Sequence, residues 1–112
     1  MSFDPGSILI VHLVNPSEKL WGVLYSLDAT GVTMRGLNVE SFEDWIAQIN
    51  RDEPQALGLA TMFAPLFRVE RIFLDEQVGA VESYCQRFER RVGLPVEDYL
   101  ALESADPDEV PS

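Results

Sequence analysis

The chain has one histidine, His12, and one cysteine, Cys85, the two side chains with the most chemistry to offer near neutral pH. A nucleophilic centre needs a thiol or hydroxyl beside a base that a third group orients. A zinc site needs three or four imidazole, thiolate or carboxylate ligands. His12 stands inside the apolar run 8–14 with no nucleophile paired to it, so it reads as a structural histidine needing one hydrogen-bonded tautomer. Cys85 falls among apolar residues at helical spacing and reads as a small core residue. Glu40, Glu43, Asp44, Asp52 and Glu53 crowd one segment, but without the regular spacing of a calcium loop. A solvated acidic helix is the expectation there. Arg68, Glu70 and Arg71 share one predicted strand, where a cross-strand ion pair accounts for them. No catalytic residue, metal ligand or cofactor is assigned.

The aromatic side chains are the richer set. Trp21, Tyr25, Phe42, Trp45, Phe63 and Phe67 exceed what a thin β core can fill. Phe42 and Trp45 belong to a helical stripe that must pack somewhere. Trp21, Tyr25, Phe63 and Phe67 form the candidate interface, because aromatics are enriched where proteins meet.

These residues must be positioned by elements that the pattern makes legible. Residues 7–15 read as a buried strand, apolar on both faces. Asn15, Pro16, Ser17 and Glu18 form a turn. Residues 19–27 make a second strand, with Leu20, Gly22, Leu24 and Ser26 on one face and Trp21, Val23, Tyr25 and Leu27 on the other. Gly22 removes a side chain in mid-strand, which permits a sharp bend or a close backbone approach. Asp28 to Gly31 turns the chain into strand three, 32–35, which Gly36 ends or bulges. Ser41 reads as an N-cap, and Phe42, Trp45, Ile46 and Ile49 give the following helix one apolar face. Residues 50–54 stop it. Strand four is predicted over 57–64 and strand five over 67–74, with a slip in alternation between Val69 and Ile72 that suggests a bulge. From 75 to 92 the period becomes helical, with Val78, Val81, Cys85, Phe88 and Val92 in one stripe and Asp75 and Glu76 as its cap. Gly93 suits a C-cap, and Pro95 opens a last short helix to residue 102.

At 112 residues, 46% hydrophobic and 24% charged, the chain reads as one globular domain over 1–103. Residues 104–112, with Asp106, Asp108, Glu109 and two prolines, predict a disordered acidic tail. One cysteine makes no internal disulfide, and the first residues lack the basic start of a signal peptide. The expected compartment is the cytoplasm. Nineteen acids against eight bases give a net charge of −11, which disfavours nucleic acid and anionic membranes as partners.

The order of five short strands, with Gly22, Leu24 and Asp28 at the spacing glycine, any residue, leucine, three residues, aspartate, resembles the Sm-like family of small β-barrels. Val32 and Met34 supply the apolar third strand of that motif. The resemblance implies a barrel over about residues 7–75 that oligomerises by strand-edge pairing. It does not carry over the RNA site: Val32 stands where RNA-binding members have asparagine. Phe63, Ala64, Pro65, Leu66 and Phe67 replace the arginine–glycine turn before the last strand.

The expected fold is therefore mainly β with α: a small, strongly bent five-stranded antiparallel barrel, Sm-like or SH3-like, with one inserted helix and a C-terminal helix. An α+β sheet with both helices on one face and no closure is the competing arrangement. The expected function is a non-enzymatic protein-interaction or assembly module, with a further copy of the chain as its partner in a homo-oligomer. An RNA-binding ring with non-standard site residues is the alternative. A small enzyme or ligand-binding barrel built on His12 and a carboxylate is the third.

Overall fold

The computed structural model of the chain describes residues 3–51 and 57–104. Strands β1 (Ile8–Leu13), β2 (Glu18–Leu27), β3 (Gly31–Asn38), β4 (Ala60–Pro65) and β5 (Val69–Leu74) form one antiparallel sheet in the order β4-β3-β2-β1-β5. Three helices, α1 (Phe42–Arg51), α2 (Tyr84–Val92) and α3 (Val96–Ser104), complete a mixed α and β architecture. The chain divides into two compact units, residues 1–75 and 76–112. The sheet is not closed by hydrogen bonds: β4 and β5 are its edges. Of the predicted tail 104–112, Ser104 is the last residue of α3 and the rest lies outside the described residues, as does most of the predicted stop after α1.

Strand alternation builds the core of the first unit. Leu9, Val11 and Leu13 of β1, Leu20 and Leu24 of β2, Val32 and Met34 of β3 and Ala64 of β4 form one buried cluster. Met62, Val69, Ile72 and Leu74 pack against it, so every strand contributes to one apolar face. The other face carries α1, whose Phe42, Trp45 and Ile46 are fully buried as the helical stripe predicts. The 3-10 turn Val39–Ser41 leads into α1; the Asn38 side chain caps that turn by accepting from the Glu40 amide, and Ser41, its last residue, immediately precedes α1.

Gly36 does not end β3. It pairs with Gly22 in the ladder, and the strand runs on to Asn38. A Cβ on Gly22 would lie 2.3 Å from the Arg35 carbonyl oxygen and 2.6 Å from the Gly36 Cα. One on Gly36 would lie 2.0 Å from the Trp21 oxygen. Two facing glycines thus let β2 and β3 approach more closely than any side chain permits. The break in register falls instead on β2, between Leu24 and Ser26. The slip expected in β5 is present: Leu13 pairs with Val69 and His12 with Arg71, leaving Glu70 as the extra residue. Residues 67 and 68, predicted as the start of strand five, belong instead to a 3-10 turn, Leu66–Arg68, that joins β4 to β5.

In the second unit the helix predicted from 75 to 92 begins only at Tyr84. Ser83 caps it, accepting from the Gln86 amide at 3.0 Å while the Gln86 side chain accepts from the Ser83 amide at 2.7 Å. This reciprocal box competes better for the helix start than Asp75 and Glu76. Upstream, Val78 and Val81 face each other through two backbone hydrogen bonds across Gly79, which has a left-handed φ of +59°. Both valines are exposed, so the predicted apolar stripe is reduced to its C-terminal part around the buried Phe88. Gly93 closes α2 in the left-handed conformation, as its position after Val92 predicts.

Candidate functional site

The β2–β3 hairpin is tied by Asp28, whose Oδ1 accepts from the Thr30 amide at 2.8 Å and the Thr30 hydroxyl at 2.6 Å. Those bonds hold the Asp28 carboxyl below its usual pKa. Tyr25 sits at the register break just before this turn and Leu27 closes the strand; both are exposed. Across β3, Thr33 pairs with Phe63 of β4. The Phe63 ring lies over Gly31, where an added Cβ would come within 2.7 Å of its Cζ. Phe63 is 56% exposed and Tyr25 46%.

Among the described residues Phe67 is the most exposed large apolar side chain, at 85%. Its turn is anchored on both sides. The Leu66 amide donates to the Thr30 oxygen at 3.0 Å, and the Arg68 oxygen accepts from the Val14 amide at 2.8 Å. The Arg68 guanidinium also donates to the carbonyls of Val14 and Pro16 and to Glu18 Oε2 at 2.9 Å. The cross-strand ion pair expected for this group is the one Arg68 makes with Glu18 of β2, from a turn that lies just before β5. A phenyl ring held in water by so many backbone and side-chain bonds is presented by the fold.

Trp21 is corrected. It is fully buried, with its ring centroid 5.2 Å from Phe42 and 5.7 Å from Trp45, and its indole N–H donates to Asp75 Oδ2 at 3.0 Å. The inserted helix covers this part of β2, so Trp21 belongs to the core. Tyr25, Phe63 and Phe67 remain exposed, joined by Leu27 and Leu66, which the sequence did not single out. The alternation of β2 placed Leu27 with Tyr25 and could have identified it; Leu66 depended on the unforeseen 3-10 turn.

His12 lies on the opposite side of β1 from the core cluster. It pairs with Lys19 of β2 and Arg71 of β5, and its ring meets Phe73 edge-on at 4.9 Å. Partial burial, then Lys19, lower its pKa; Glu70 opposes this and Arg71 adds to it. Phe73, exposed and flanked by the inward Ile72 and Leu74, was missed although strand alternation marks it. Glu40, Glu43 and Asp44 are on the turn and first turn of α1, while Asp52 and Glu53 lie outside the described residues. Among the described residues no three His, Cys, Asp or Glu side chains gather as a metal site. Cys85, half-buried, is the second residue of α2. No described helix is long and apolar enough to cross a membrane.

Comparisons with protein-family models, with curated proteins and with solved structures gave no match.

Proposed function

We propose that residues 1–75 form a small barrel of the Sm-like or SH3-like kind that serves, without catalysis, as an assembly module pairing with further copies of the chain. Connectivity supports the barrel reading. The edges of a flat five-stranded sheet stand about 19 Å apart, four spacings of about 4.8 Å. The edge strands here are joined from Pro65 to Val69 through the 3-10 turn Leu66–Arg68. Four Cα steps reach at most ~15 Å extended, and ~8 Å at the 3-10 rise. That length favours a sheet curled until its edges approach, and the apolar face common to all five strands then fills the interior.

The anchored, exposed Phe67 is the observation that carries the assembly reading. Around it Tyr25, Leu27, Phe63 and Leu66 add exposed apolar surface, beside the uncharged edge strand β4 (ATMFAP). Such an edge offers unpaired backbone groups without a charge to repel a second strand. The non-catalytic reading rests on His12, whose registered neighbours are Lys19 and Arg71 and not a nucleophile.

Light scattering coupled to size exclusion, over a hundredfold range of concentration, tests the reading. The expected result is a mass of two or more chains that falls to one chain in the double variant Phe63→Ser/Phe67→Ser. A monomer at every concentration overturns it. RNA titrations by fluorescence anisotropy decide the alternative: with −11 charges, no binding of uridine-rich RNA is expected at physiological salt.

A further inference from the structure

Lys19, His12 and Arg71 stand in one row across three neighbouring strands, β2, β1 and β5, each registered opposite the next. Side chains opposed in this way start about 5 Å apart and share a face of the sheet. The row is long, short, long: two flexible cations flank a compact imidazole, so the ammonium and guanidinium can converge above the ring. Phe73 supports two of the three, with the Arg71 guanidinium 6.0 Å from its centroid and the His12 ring packed edge-on.

This row is unusual in a chain of net charge −11. Arg68 pairs with Glu18, and Arg87 and Arg90 with Glu82. Among the described residues, Lys19 and Arg71 form no ion pair; both are exposed, and both hold the His12 pKa down. Glu70, the extra residue of the bulge beside Arg71, acts on His12 against the two cations. Two cations on either side of a neutral imidazole are left with a repulsion that a bound anion would relieve.

We propose that the Lys19–His12–Arg71 row binds the phosphoryl group of a small phosphate monoester, with Phe73 beside it to receive an apolar substituent. A phosphoryl dianion offers three acceptor oxygens that both cations can share, whereas a single carboxylate offers two and half the charge. The site is independent of the assembly surface around Phe67, so either can fail without the other.

The single histidine makes the test clean, since every imidazole resonance in the spectrum belongs to His12. Its titration is followed by NMR in inorganic phosphate, phenyl phosphate, acetate and chloride at matched ionic strength. Phosphate and phenyl phosphate should raise the midpoint saturably, by about one pH unit, because the bound dianion favours the imidazolium. A tighter effect of phenyl phosphate identifies a monoester rather than free phosphate as the ligand. Lys19→Ala/Arg71→Ala should abolish the response, and Glu70→Gln should lower the concentration needed by severalfold. A midpoint that is the same in all four salts, a rise that acetate matches, or a rise that survives in the double variant overturns the proposal.

Discussion

Trp21 and Tyr25 leave the same strand four residues apart, yet the first is fully buried and the second stands 46% exposed. Nothing in their residue types separates them. Over Trp21 the helix α1 contributes Phe42 and Trp45, and Asp75 supplies an acceptor for the indole N–H. Tyr25 lies past the end of that cover, at the register break before the β2–β3 turn. An aromatic on a strand is thus core or surface according to what the chain lays over it, and the uncovered group continues through Phe63 to Phe67. The covered region should govern stability, and the uncovered one should govern association.

The largest effect is expected at Trp45. Truncation to alanine opens a cavity between Phe42 and Trp21 and should cost about 3–5 kcal/mol in urea unfolding. A loss below ~1 kcal/mol would mean that the aromatic trio is not a core. Next comes Gly22→Val, which places a branched side chain against the backbone of Arg35 and Gly36, where no rotamer change can relieve it. About 1–3 kcal/mol is expected, as for overpacking elsewhere. A melting temperature within a degree of the parent's would remove the close approach of β2 and β3 from the explanation of the fold.

Phe67→Ser reverses the pattern. The ring is 85% exposed, so stability should stay within about 0.5 kcal/mol of the parent, while sedimentation should show weaker self-association. If instead the variant unfolds early and associates normally, the two regions have been assigned the wrong way round.

The smallest effect is one of pH. Because the folded-state pKa of His12 lies below its ordinary value of 6.5, the unfolded chain takes up a proton first as pH falls through 6.5. The His12 contribution to stability therefore declines below that pH and is flat above it, where both states are neutral. Comparing denaturation midpoints at pH 7.5 and 5.5 for the parent and His12→Gln isolates this contribution, which should vanish in the variant.

Local chemistry made much of this readable. An apolar run located the first strand and alternation and turn residues the other four, Asp28 and Gly31 located the hairpin, and the stripe Phe42, Trp45, Ile46 located α1. Each of these depends on contacts within a few residues. The errors fell where local signals compete. The stripe through Val78 and Val81 has helical spacing, but the turn at Gly79 and the Ser83–Gln86 cap delay the helix to Tyr84. Phe67 and Arg68 look like strand, but bonds from Leu66 and Arg68 to Thr30, Val14, Pro16 and Glu18, all distant in sequence, fold the segment into a turn.

The sequence by itself determined the order of the five strands and of the helices among them and that aromatic side chains are in surplus, because side-chain periodicity and turn chemistry are properties of neighbouring residues. Only the tertiary structure decided which aromatics are covered, that Gly22 meets Gly36, and that Lys19, His12 and Arg71 share one row. Those outcomes depend on register between strands and on where α1 comes to rest. Both are set by the burial of the whole apolar face at once, and no single segment carries that information.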